Sequence, residues 1–184
     1  NPARKILLVN LPQIPSEHFI SFLATRRRLF NYPPYGLGVV GAVLKKIKDT
    51  GLQDNTLIVF FSDNGGPTRE LTSSNLPLRG EKGQVYEGGL RVPFLMSWPG
   101  VLPTSSVYAR PVSTLDLFPT ACAAAGTKPP KKKYDGINLL PFLTEKSDKD
   151  PHRYLFWRIG DRHALRKGDW KILRQRNKPW SLFN

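Results

Sequence analysis

An α/β body with a small antiparallel β appendage is the fold class this sequence predicts, and three observations carry it. The runs KILLVN (5–10) and LIVFF (57–61) are short and continuously apolar at their centres, the pattern of strands covered on both faces of a parallel sheet. Ahead of the second run, Val40, Val43, Leu44 and Ile47 recur at helical spacing, as in the crossover of a βαβ unit. Beyond residue 150 the pattern changes to short β-prone runs separated by Gly-Asp pairs, which read as hairpins.

Taken in order, the first strand is expected at 5–10, with Pro12 and Pro15 forcing an extended exit. A basic stretch with Arg26, Arg27 and Arg28 comes next. The helix around 39–48 places Lys45, Lys46 and Lys48 away from its apolar stripe, and Gly51 is its stop signal. DNTLIVFFSDNGG (54–66) supplies the next strand, and residues 68–84, polar and rich in turn formers, read as a long loop. The run from Leu90 to Trp98 is strand-like and closes on a Pro-Gly turn. In TLDLFPTACAAAG, Asp116 is placed to cap a helix that tolerates Pro119 in its first turn and ends at Gly126. The basic, proline-rich GTKPPKKKYDG is the best boundary, dividing an α/β portion at 1–126 from an antiparallel subdomain at 127–184. Strand-like runs at 154–159, 164–166 and 170–173 make up the latter, and no internal repeat is present.

The length of 184 residues suits one domain, or a domain with an appendage, and the apolar content suffices for a core. Lys and Arg outnumber Asp and Glu by 28 to 14, and a net charge of +14 favours an anionic partner. Helix-turn-helix, zinc-finger and RNA-recognition patterns are absent, so nucleic acid is not the expected partner. No apolar run reaches the length of a membrane span. The single cysteine, Cys122, excludes an internal disulfide and reads as a small buried hydrophobe. The chain opens on Asn1 without an initiator methionine, so its natural N-terminus is expected to lie outside it.

The candidate site residues begin where the apolar run 57–61 meets Ser62, Asp63, Asn64 and two glycines. Ligands of α/β sheets gather beyond the carboxyl ends of strands, and a carboxylate beside an amide supplies the hard oxygens that calcium or magnesium takes. The same Asp-Asn-Gly trio also makes an ordinary turn, and that reading stays open at this point.

Five blocks resemble, in order, those of arylsulfatase-type members of the sulfatase family: DNTLIVFFSDNGG (54–66), PLRGEKGQVYEGGLRVPFLMSWPG (77–100), STLDLFPTACAAAG (113–126), DGINLLPFL (135–143) and ALRKGDWKIL (164–173). The resemblance is to the later half of such enzymes. It implies an alkaline-phosphatase-like mixed sheet with helices and a smaller C-terminal antiparallel sheet. It places a divalent metal, usually calcium, on Asp63 and Asn64, and assigns Lys82 of RGEKG to contact with the sulfate group. A lysine is a mobile point charge suited to an anionic oxygen; without the family pattern Lys82 would read as a solvated loop residue. Arg79 and Arg91 are expected to pair with carboxylates such as Glu81 or Glu87, and Trp98 and Trp170 to pack in the core.

The resemblance also has gaps. The C-x-P-S-R motif, whose cysteine or serine becomes the formylglycine nucleophile, is absent, so that group is expected only if the motif exists upstream. The family's early aspartate pair is missing, Gln13 stands where NLPQIP would align with an active-site histidine, and His18 is not in its place. Matches and gaps together imply a part of a sulfuric ester hydrolase whose substrate is a small sulfate ester or a sulfated glycan, inactive as this chain alone. Its compartment would be secreted, lysosomal or periplasmic if typical of the family. The alternative is a truncated, inactive relative that binds sulfated polyanions through Arg26–Arg28 and Lys131–Lys133.

Overall fold

The computed structural model describes residues 5–9, 35–69 and 73–184. Gln13, His18 and Arg26–Arg28 lie outside the described residues. The chain forms two compact units, one from described residues within 1–62 and 93–104, the other within 63–92 and 105–184.

The first unit holds strand β1 (Lys5–Val9), helix α1 (Tyr35–Asp49), β2 (Thr56–Phe61) and β3 (Phe94–Ser97). β1 runs parallel to β2, with Leu7 opposite Ile58, and β3 pairs antiparallel on the other edge of β2, giving a mixed sheet in the order β1-β2-β3. The parallel pair with a helix between its strands is the βαβ unit read from the apolar runs. Of the expected strand from Leu90 to Trp98 only Phe94–Ser97 pairs, because Leu90 ends a helical turn and Pro93 has no N–H to donate. Leu57, Val59 and Trp98 are buried, and the Trp98 indole N–H donates to the Asp54 carbonyl at 3.0 Å. The apolar stripe of α1 is only partly covered: Val40 and Ile47 are half-buried, whereas Val43 and Leu44 are exposed.

The second unit contains α2 (Glu87–Leu90), α3 (Leu117–Ala124), α4 (Leu140–Leu143) and a four-stranded meander. Its strands are β4 (Leu155–Ile159), β5 (Arg162–Lys167), β6 (Trp170–Arg174) and β7 (Ser181–Phe183). The hairpins turn at Gly160 and Gly168, with φ of +58° and +57°, left-handed values that glycine takes without strain. β7 is not legible as a strand in the sequence, since three residues carry too little alternation to register. Trp170 is a correction: it sits at the β5–β6 turn, paired with Lys167, and is exposed rather than in the core. One buried cluster of this unit is Val85, Ala164 and Leu173, with Tyr86, Leu90 and Trp157 packed against it, and Ala124 and Leu139 are also fully buried. Segment 85–90 is thus held by the meander through shared apolar contacts.

Helix α3 follows a 3-10 turn at Thr114–Asp116, and its cap differs from expectation. Ser113 is the capping residue: its side chain accepts from Leu115 N–H, while Asp116 accepts the Ser113 N–H at 2.8 Å, closing a reciprocal capping box. Gly126, with φ of +70°, ends the helix as expected. Cys122 is half-buried on α3 and unpaired with any other cysteine.

Candidate functional site

The candidate residues Asp63, Asn64 and Lys82 all belong to the second unit, on two loops that the backbone ties together. Asp63 and Asn64 directly follow β2 in sequence; Asp63 is exposed and Asn64 half-buried, its Nδ2 donating to the Gly65 carbonyl at 3.1 Å. Gly65 then donates its N–H to the Gly89 carbonyl at 3.1 Å. The approach is so close that a Cβ on Gly65 would overlap the Gly88 carbonyl oxygen, so only glycine fits.

Asn75 makes the second tie. Its Oδ1 accepts the Gly66 N–H at 2.9 Å, and its Nδ2 donates to the carbonyls of Gly66 at 2.9 Å and Gly80 at 3.0 Å. The Lys82 N–H adds a longer contact of 3.4 Å to the Gly66 carbonyl. One side-chain amide therefore bridges the loop that carries Asp63 and Asn64 to the loop that carries Lys82. Sequence reasoning missed Asn75, because an asparagine in a polar loop looks like any other turn residue until its three partners are known.

Lys82 is exposed and lines a cleft of about 870 Å³. Six cations border that cleft, Arg69, Arg79, Lys82, Arg162, Arg176 and Lys178, against one carboxylate, Glu81. The pairing expected for Arg79 and Arg91 is corrected here. Glu81 takes Arg69 at 2.8 Å, and Glu87 takes Lys171 at 2.6 Å and Arg166 at 3.5 Å. Arg79 instead lays its guanidinium 4.2 Å from the centre of the Tyr86 ring, which supports the charge while leaving N–H groups for other acceptors. Lys131–Lys133 lie on an exposed stretch without regular structure, and none lines this cleft.

Glu87 latches the 79–91 segment to the meander. Lys171 is almost fully buried on β6, and burial, only partly offset by its bond to Glu87, holds its ammonium below the usual lysine range. Its charge also faces the Trp157 ring at 5.5 Å. Glu87→Gln is expected to lower unfolding stability by about 3 kcal/mol, because it strands a buried cation. Urea denaturation of the single variant and of the Glu87→Gln, Lys171→Met pair checks this: the second substitution should recover most of the loss.

For a metal, the donor chemistry fits in kind. Asp63 offers an accessible carboxylate and Asn64 an amide oxygen, both hard donors of the type calcium takes. They supply part of a shell of roughly six to eight oxygens. Among the described residues no group of three or more His, Cys, Asp or Glu side chains is arranged to hold a metal. The remaining oxygens must come from other groups.

The sulfatase family model matches residues 38–127, the span that carries both tied loops. The chain belongs to the sulfatase family. It is 40% identical over 119 residues to the uncharacterized sulfatase YdeN of Escherichia coli K12, a match covering 64% of this chain and 21% of that protein. A sulfatase of Formosa agariphila is 36% identical over 163 residues, covering 78% of this chain and 29% of the relative. Among solved structures, the sulfatase-family chain superposes on Ps i-CgsB in complex with k-i-k-neocarrahexaose with a TM-score of 0.70 and 38% identity. That match covers 78% of this chain and 33% of the other. The chain thus spans between a fifth and a third of the length of these proteins. The alkaline-phosphatase-like sulfatase fold with a small C-terminal sheet, expected from the five blocks, is borne out.

Proposed function

We propose that this chain is the metal- and sulfate-binding portion of a sulfuric ester hydrolase acting on a sulfated glycan. The observation that supports it most is the Asn75 bridge, which keeps an oxygen-donor loop and a lysine loop in one local structure. A sulfate ester carries its charge on nonbridging oxygens, and hydrolysis leaves further charge on the departing oxygen. Positioned cations lower the cost of that charge more than solvent can, since they need no reorganisation during the reaction.

In this reading Lys82 holds a nonbridging sulfate oxygen, and Arg79, braced on Tyr86, faces the same cleft. Gly80, with φ of +98°, sets the turn between Arg79 and Lys82. Asp63 and Asn64 would hold a divalent cation, calcium by family resemblance, which supplies Lewis-acid polarisation of the ester when bound. The 184 residues contain no C-x-P-S-R motif, so the nucleophile is not one of them, and Cys122 on α3 does not substitute. This portion therefore binds and stabilises charge, and turnover by the 184-residue chain alone is not expected.

Titration calorimetry with 4-nitrocatechol sulfate, with and without calcium, tests the reading. Lys82→Ala is expected to weaken binding at least about tenfold, the order of one lost charge-assisted contact. Asp63→Ala should abolish the calcium dependence. Unchanged affinity in both variants would sink the assignment.

A further inference from the structure

The wall of the cleft opposite the Lys82 loop in sequence comes from the meander, and its composition is unusual. Arg162 opens β5, and Arg176 and Lys178 lie in the turn between β6 and β7. Among the described residues, none of these three, nor Lys82, has a carboxylate within ion-pair distance. Gathering unpaired cations in one cleft costs folding stability by self-repulsion, a cost that a bound anion removes.

Two further observations point to a ligand on that wall. Gln175 lines the cleft and is 8% exposed, yet its Nε2 has no acceptor among the described residues. A buried amide donor without a partner calls for an explanation, and a turn of the Gln175 side chain toward the cleft would let an anionic oxygen there supply one. Arg176 holds φ of +51°, the left-handed region that glycine or asparagine takes more easily, so an arginine is kept there at a backbone cost. The turn itself is closed by Lys178 N–H donating to the Gln175 carbonyl at 3.1 Å.

We infer that Arg162, Arg176 and Lys178, with Gln175 behind them, form a second anion subsite for a sulfate or carboxylate on a neighbouring sugar of the substrate. The inference rests on the reading of Lys82 as the sulfate contact. At about 870 Å³ the cleft falls in the size range of small-molecule sites, roughly 300–1,000 Å³, and exceeds the needs of one sulfate. The preferred substrate thus carries at least two anionic groups. A monosulfated ester of an apolar alcohol would leave the meander wall empty.

The experiment compares three disaccharides of one backbone: one sulfate on the first sugar, the same with a sulfate on the second sugar, and the same with a carboxylate on the second sugar. Affinities are measured by calorimetry at one fixed ionic strength for the native chain, for Lys82→Gln and for the Arg162→Gln, Arg176→Gln, Lys178→Gln triple variant. The native chain is expected to bind the dianionic probes about tenfold or more tightly than the monosulfate. In the triple variant that ratio should fall to near one. Arg176→Gly, which relieves the left-handed backbone while removing one cation, should lower the ratio without loss of thermal stability. It keeps the test decisive if the triple variant folds poorly. A ratio near one in the native chain, or a ratio that survives both Arg176→Gly and the triple substitution, overturns the subsite. Lys82→Gln should weaken all three probes together. If it leaves them unchanged while the ratio still depends on Arg176, the Lys82 reading fails and the subsite stands. Gain from sulfate alone, or equally from carboxylate, identifies which anion the wall accepts.

Discussion

Gly65→Ala is expected to cost about 4 kcal/mol of unfolding stability and, on the function proposed for the two loops, to remove calcium and sulfate-ester binding together. The added methyl would overlap the backbone carbonyl of Gly88 and press on Cα of Gly89. Backbone cannot rotate out of the way as a side chain can, so the 63–66 loop must separate from the 79–91 segment. That separation breaks the Gly65 to Gly89 hydrogen bond of 3.1 Å and displaces Asp63 and Asn64 from the Lys82 loop. Gly66→Ala is the informative control. Its Cβ would meet no backbone but the side chains of Ser73 and of the bridging Asn75, straining the Asn75 hydrogen bonds, so a smaller loss of about 2 kcal/mol is expected. Guanidinium denaturation gives both values, and calorimetry with calcium reports the site. Equal losses for the two variants would mean that the backbone contact does not set the geometry.

Asp116→Ala should destabilise by about 3–5 kcal/mol through a different physical route. The carboxylate is fully buried and accepts from the Ser113 N–H at 2.8 Å, the Ile137 N–H at 2.9 Å and His152 Nε2 at 2.9 Å. Alanine leaves two backbone donors and an imidazole without an acceptor in a place that excludes bulk water, and each stranded group costs about 1–3 kcal/mol. Asp116→Asn keeps one acceptor oxygen and should fall between wild type and alanine. His152→Ala removes a partner but strands no backbone donor, so a smaller loss is expected. Thermal unfolding of the three variants, followed by circular dichroism, ranks them, and a loss for His152→Ala as large as for Asp116→Ala would contradict the account.

Asp116 also shows how far the residues by themselves can be read. As part of a helix start it is legible, because a capping box is a pattern of four adjacent residues. Its bonds to Ile137 and His152, 21 and 36 residues away, leave no local trace. Charge pairing fails for the same reason. Glu81 and Glu87 are sensible partners for the nearby Arg79 and Arg91, yet Glu87 pairs with Lys171 and Arg166, 84 and 79 residues on. An ion pair is decided by which side chains the fold brings within a few ångströms, and sequence distance says little about that. Trp170 misleads because an aromatic residue at a hairpin turn has the composition of a core residue and the position of a surface one.

Local and motif-bound features are therefore the ones that the amino-acid order settles. Apolar runs mark β1 and β2, helical spacing marks α1, Gly-Asp pairs mark the hairpins, and five ordered blocks carry the sulfatase family with Asp63, Asn64 and Lys82 as candidates. Those signals survive in one dimension because each depends on residues a few positions apart. The folded chain was needed to reveal that Asn75 bridges the two candidate loops, and that Gly65 must be glycine because another backbone lies against it. The same holds for the cleft that Arg162, Arg176 and Lys178 share with Lys82. These contacts join segments well separated in the chain, and only its closing into a packed unit brings their charges and hydrogen-bonding groups within reach of one another.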